Sequence, residues 1–224
     1  MPFLSKIIAG LAALLLTACA LNSSDARVPL RILCFGDTIT RGGHWVGTVG
    51  KDPRFETINA GLNGRRAAWA VKHLGPILDE HSEIDAVILF LGVNDLPARD
   101  PRPGDEKVAS CVENMSAAID LAKTRVAARD IILVAPPTVN PEKMNSTNLK
   151  KGYDAALPLL QLLEKEYEAL AARKGTRFLS LHGVVDQAFL HDGLHPNREG
   201  GAQIAAAVLE FLSRDLAPPL GGEK

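Results

Sequence analysis

Three side chains, one near the start of the chain and two close together near its end, are of the types that acyl transfer demands: the hydroxyl of Thr38, the carboxylate of Asp192 and the imidazole of His195. A nucleophile, a base and a group that orients the base are the minimum for covalent cleavage of an ester. Thr38 lies in Gly36-Asp37-Thr38-Ile39-Thr40, directly after an apolar run, where a sharp strand-to-helix turn presents a hydroxyl. His195 belongs to Asp192-Gly193-Leu194-His195-Pro196, in which Gly193 and Pro196 make a turn that lets Asp192 fold back onto the ring. His195 is the candidate general base, and Asp192 the candidate for holding its tautomer. Taken alone, an Asp-x-x-His is most often a surface pair. His191 and His195 also stand at the spacing of a helical zinc pair, but Gly193 and Pro196 oppose a helix and no third ligand stands out. No metal and no cofactor is expected.

Threonine at the nucleophile position leaves two readings open. A secondary hydroxyl can be activated by a histidine base, as a serine is. Its β-methyl, however, stiffens χ1 and must fit a tight turn. The familiar threonine nucleophiles use an N-terminal amine as base, which position 38 lacks. One reading is turnover at Thr38; the other is a silent site that binds an acylated ligand without cleaving it.

The positioning elements follow from hydropathy. Strand-length apolar runs occupy 31–35, 57–59 (weakly), 86–91, 131–135 and 177–181. Between them, Val108, Val112, Met115, Ile119, Ala122 and Val126 form one helical stripe. Tyr153, Leu157, Leu160, Leu163, Tyr167 and Leu170 form another, with Pro158 kinking it or sitting in its first turn. Ile204, Val208 and Phe211 form a third, which Asn197 is placed to cap. Continuous Val/Ile/Leu strands alternating with amphipathic helices predict a five-stranded parallel sheet covered by helices on both faces, a three-layer α/β/α fold. Right-handed crossovers then gather every strand's C-terminal end at one edge, where ligands bind. Thr38, Asn63-Gly64, Asn94-Asp95, Pro136-Pro137-Thr138 and the Asp192–His195 turn all follow those ends.

Four segments in register carry a resemblance. Phe35-Gly36-Asp37-Thr38-Ile39-Thr40, Asn59-Ala60-Gly61-Leu62-Asn63-Gly64, Gly92-Val93-Asn94-Asp95 and Asp192-Gly193-Leu194-His195-Pro196 resemble the four blocks of the SGNH (GDSL) hydrolase superfamily, and most of all its small arylesterase-like members. The resemblance implies a flavodoxin-like sheet, and ester or thioester hydrolysis by a Ser-His-Asp mechanism without metal. It places Thr38 at the serine position, and it places the oxyanion donors at the Thr38 backbone N–H, a Gly64 backbone N–H on the helix after strand two, and the Asn94 side-chain amide. Asp37 is read as a brace that accepts backbone hydrogen bonds. Arg41, His44 and Trp45 are read as candidate lining of an acyl pocket, with ordinary packing equally open for Trp45. Arg65 and Arg66 are read as solvated by default, or as facing an anionic substrate.

The chain ends and the composition set the context. Lys6 precedes an apolar run from Ile7 to Leu16, too short to span a bilayer permanently and suited to an export signal. Leu16-Thr17-Ala18-Cys19 resembles the lipobox of bacterial lipoproteins, which implies a signal peptide over 1–18, lipidation at Cys19 and a membrane-anchored exported protein; an ordinary signal cut after Ala20 is the rival. A tether at 19–28, a hydrolase domain at 29–216 and a tail at 217–224 complete the division. Of the other cysteines, Cys34 and Cys111 read as buried thiols, with a disulfide left open. The chain of 224 residues is 46% hydrophobic and 23% charged, enough for one buried core. A formal net charge of −1 with no basic stripe argues against nucleic acid, and 5% aromatic content argues against a stacking platform. The expected partner is a small acyl ester, short-chain, aryl or sugar-acetyl, and no obligate protein partner is evident. A thioesterase or lysophospholipase on the same machinery is the further alternative.

Overall fold

The computed structural model describes residues 28–216. The proposed signal peptide, Cys19 and most of the tether, together with the C-terminal tail, lie outside the described residues. In chain order the elements are β1 (Leu30–Gly36), α1 (Thr38–Gly42), α2 (Trp45–Val49), β2 (Phe55–Gly61), α3 (Ala67–Glu80), β3 (Ala86–Phe90), α4 (Gly104–Ala122), β4 (Ile131–Ala135), α5 (Ser146–Lys151), α6 (Leu157–Lys174), β5 (Arg177–Ser180) and α7 (Arg198–Asp215). All five strands pair in parallel, in the order β2-β1-β3-β4-β5.

Burial explains which strands are plain in the sequence. Every residue of β3 and β4 is buried, as is β1 from Ile32 onward, so these three read as unbroken apolar runs. The edge strands differ: β2 buries only Phe55, and β5 is half-buried throughout. Helices α3, α4 and α6 pack side by side on one face, and α2 and α7 pack together on the other. The core between the layers is closed by Trp45, Tyr167, Phe35, Phe90 and Leu74, all essentially inaccessible. Each such side chain contributes about 1.5–3 kcal/mol by leaving water.

The helical stripes hold with two corrections. Val126 is buried but lies past the end of α4, and Tyr153 lies outside α6 altogether, in the connection from α5. Pro158 takes the first turn of α6, where its missing N–H costs nothing. Asn197 caps α7, its side chain accepting the Gly200 N–H at 2.9 Å. Cys34 and Cys111 are free and buried, and burial pushes both thiols upward.

One glycine decides whether β1 can turn. A Cβ on Gly36 would collide with Thr40 Oγ1 and approach the Phe90 carbonyl oxygen to 2.6 Å, so α1 folds back over the strand end only because that atom is missing. Gly36→Ala is expected to destabilise the protein by about 1–3 kcal/mol through overpacking, read as a lowered urea midpoint at unchanged m-value.

Candidate active site

The sheet order reverses direction between β1 and β3, and a crevice opens there beyond the strand ends. Asp37 leaves β1 and caps α1, its Oδ1 accepting the Ile39 N–H at 2.9 Å. Thr38 is the first residue of α1, so its own N–H has no partner within the helix. Its Oγ1 accepts a hydrogen bond from the Gly64 N–H at 3.1 Å. Gly64 is not on a helix: it sits in the turn after β2, and α3 begins only at Ala67.

Asn94 lies in a tight turn after β3 with its side chain saturated. Nδ2 donates to Asp37 Oδ2 at 3.0 Å and to the Arg65 carbonyl at 3.1 Å, while Oδ1 accepts from the Tyr153 hydroxyl. An amide has two hydrogens, and both are used. Asp95 faces the other way; its two oxygens accept the Ala67 N–H at 3.1 and 3.0 Å and close the N-terminus of α3.

The Asp192 turn is clamped from outside. Oδ1 accepts the backbone N–H of Leu194 (3.1 Å) and of His195 (2.8 Å), and Oδ2 meets His195 Nδ1 at 2.8 Å. The loop after β4 and helix α5 hold the turn in place: Asn140 N–H donates to the Gly193 carbonyl at 2.8 Å, and Asn148 Nδ2 of α5 to the Asp192 carbonyl at 3.1 Å. Gly193 has φ 79°, and a Cβ there would press on the Asn140 carbonyl and the Met144 side chain.

With Nδ1 facing Asp192, Nε2 is the nitrogen left for chemistry. Burial alone would raise the Asp192 carboxyl. The His195 ring, the His195 N–H, the charge of His195 and the Leu194 N–H outweigh it and hold the carboxyl at about 2, so the acceptor is ionised at neutral pH.

Thr38 and His195 together line two cavities. The larger, about 360 Å³, is reached by Gly64, Asn94 and Tyr153; the smaller, about 240 Å³, by Gly42, Gly43, His191 and Pro196. Among the described residues no hydrogen bond joins the Thr38 hydroxyl to His195; the hydroxyl is turned to Gly64 instead. Such contacts often tighten only when substrate is bound. Also among the described residues, no group of three or more His, Cys, Asp or Glu side chains is placed to hold a metal.

The profile of the GDSL-like Lipase/Acylhydrolase family matches residues 34–203, well over half of the chain. The chain belongs to that family. Solved structures of similar fold include the aryl esterase of M. smegmatis (TM-score 0.70, 23% identity, 84% of this chain and 100% of that one) and Est24, a carbohydrate acetylesterase from Sinorhizobium meliloti (0.69, 21%, 82% and 98%). A third is the putative arylesterase from Agrobacterium tumefaciens str. C58 (0.70, 22%, 84% and 100%). No curated protein matches the sequence.

In this GDSL-like member the remaining candidates divide. Trp45 is packing, fully buried against Phe90. Arg41 and His44 line a separate cleft with Lys51 and Arg198, and only neighbouring Gly42 and Gly43 reach Thr38. Arg66 pairs with Asp100, and Arg65 lies over the Trp69 ring. Sequence reasoning missed Asn148, the Asp95 cap and the approach of Tyr153 to Asn94. A signal for Tyr153 existed: Gly152, with φ 76°, ends α5, and Pro158 opens α6, so a tyrosine between them belongs to neither helix.

Two carboxyls are forced upward. Burial lifts Asp37 to about 7, aided by the charge of Asp95 and opposed by the Ile39 N–H and the Asn94 amide. Burial lifts Asp95 to about 6, opposed by the Ala67 N–H and by Arg66. A carboxyl whose folded value exceeds the unfolded 3.8 binds its proton more tightly when folded, so its contribution to stability falls as pH rises from about 4 toward 7. Asp192 has the opposite sign, and its contribution is lost as pH falls from 3.8 toward 2. Urea unfolding across pH 4–8 is expected to show that decline, and Asp95→Asn to flatten its lower part, between about pH 4 and 6, leaving the fall toward pH 7 that Asp37 supplies.

Proposed function

We propose that the protein is an exported esterase that hydrolyses small acyl esters at Thr38. The observation that carries this reading is the convergence of Thr38, Gly64 and the Asp192-oriented His195 on the wall of the larger cavity, with Thr38 and His195 lining the smaller one as well. In the proposed reaction His195 Nε2 takes the Thr38 proton as Oγ1 attacks the ester carbonyl. The resulting oxyanion is met by the N–H groups of Thr38 and Gly64. Asn94 contributes a third donor only by exchanging its bond to the Arg65 carbonyl. His195 then protonates the departing alkoxide, leaving acyl-Thr38, and water activated by His195 releases the acid.

Cavity size supports small substrates. Ligand sites commonly span about 300–1,000 Å³, and lobes of about 360 and 240 Å³ have room for the two halves of a short ester, such as an acetylated sugar or an aryl ester. The aryl esterase and the carbohydrate acetylesterase of similar fold support the same substrate size.

The silent binding reading has one observation in its favour: the Thr38 hydroxyl faces Gly64 and not His195. Hydrolysis of 4-nitrophenyl acetate separates the two. For an enzyme, His195→Ala is expected to lower kcat/KM by about 10²–10⁴, with Thr38→Ala at least as damaging. A wild type without turnover that Thr38→Ser revives would establish the silent form.

The lipobox-like segment supports anchoring through Cys19 at a membrane surface. Labelled palmitate is expected to enter the wild-type chain in a bacterial host and not the Cys19→Ala variant. Label in neither would favour a soluble exported protein.

A further inference from the structure

The larger lobe beside Thr38 has a one-sided charge. Among the described residues no carboxylate lines it, yet Arg99 and Lys151 both do, together with Thr38, Gly64 and Asn94. Neither cation has an ion-pair partner among the described residues. Asp100 adjoins Arg99 in sequence, but its carboxylate is taken by Arg102 at 2.8 Å and Arg66 at 3.4 Å. Both residues are exposed, and with no carboxylate among the described residues of the lobe to pair them they leave it lined by positive charge.

The pair is positioned by the fold. The Arg99 guanidinium lies 5.7 Å from the centre of the Tyr153 ring, a cation–π distance that keeps it on this wall. Tyr153 in turn donates to Asn94, so the cation is tied through one aromatic ring to the amide beneath the reacting centre. Lys151 is bound to the same strip of backbone: its carbonyl accepts the Arg99 N–H at 3.2 Å, and the Gly152 carbonyl accepts the Ala98 N–H at 3.0 Å. A Cβ on Gly152 would come within 2.8 Å of the Ala98 nitrogen, so this close pairing depends on glycine. The Asn63 and Asn148 side chains, neutral and polar, complete the rim.

The geometry points to an ester that carries an anionic group, a carboxylate or a phosphate, seated between Arg99 and Lys151 while its carbonyl lies at Thr38. This inference rests on reading the lobe as the acyl-ester site, and it names the substrate class of that site. A guanidinium offers a planar fork to either anion and an ammonium a point charge, so together they select for charge and not for one anion. The smaller lobe, lined by His191 and, among the described residues, by no arginine or lysine, takes the uncharged half. Arg99 and Lys151 are thus specificity residues, acting on binding and not on the bond that breaks.

Binding of amides that resist turnover tests this in the full chain, whether or not Thr38 is catalytic. By calorimetric titration the wild type is expected to bind 4-acetamidobenzoate (charge on the leaving side) or N-phenylsuccinamate (charge on the acyl side) about tenfold more tightly than neutral acetanilide. Whichever anionic amide gains identifies the half that bears the charge. Arg99→Gln/Lys151→Gln is expected to abolish the advantage, and 1 M salt to shrink it in the wild type. An advantage missing in the wild type, or surviving both the double substitution and salt, overturns the proposal. Should the double variant fold poorly, the wild-type salt series decides alone. Anion preference without any ester turnover would sink the esterase reading and leave this one standing.

Discussion

A carboxylate sealed at the mouth of a parallel sheet must be matched by donors or surrender its charge, and Asp37 does part of each. It accepts from the Ile39 N–H and from the Asn94 amide, and burial still raises it to about 7. That hydrogen bond crosses from the end of β1 to the turn after β3, the two strands at the point where the sheet order reverses. The rest of the site is arranged around it. Asn94 reaches on to the Arg65 carbonyl and to Tyr153, and its neighbour Asp95 starts α3. One buried acid therefore aligns the segments after β1, β2 and β3, and the α5–α6 connection.

The same brace fixes which N–H groups near Thr38 are occupied. Both Asn94 amide hydrogens are used, and the Gly64 N–H is held by Thr38 Oγ1, whereas the Thr38 N–H, at the first position of α1, has no partner within its helix. The Asp192–His195 turn is held by Asn140, from the loop after β4, and by Asn148 of α5. The Asn148 carbonyl also accepts the Tyr153 N–H at 3.2 Å, so this support is linked through Tyr153 to Asn94 and the Asp37 brace. Thr38 and His195, the candidate nucleophile and base, thus stand on two segments joined by one hydrogen-bonded chain.

Much of this was legible before any coordinates. The buried strands β1, β3 and β4 announce themselves because both faces are covered, and Asn197 marks the start of α7 by its capping chemistry. The edge strand β2 is half-exposed and polar, so only the middle of it reads as strand. Tyr153 was misplaced for a related reason. It falls at helical spacing with Leu157 and Leu160, and periodicity alone cannot tell a helix from the loop that precedes it. Trp45 and Arg41 lie close to Thr38 in sequence yet point elsewhere, because α1 is a single short turn that sends the chain to the opposite face.

The sequence by itself determined the class of fold, the edge of the sheet where the polar residues gather, and which residue types meet there. These follow from hydropathy and turn chemistry, which are local properties of the chain. Only the tertiary structure decided which hydrogen bonds form among those residues: that the Thr38 hydroxyl turns to Gly64, that Asn94 is saturated, and that Arg99 and Lys151 face one lobe without a carboxylate. A hydrogen bond is fixed by distances of a few tenths of an ångström between residues remote in sequence. Packing of the whole sheet sets those distances, and no local pattern encodes them.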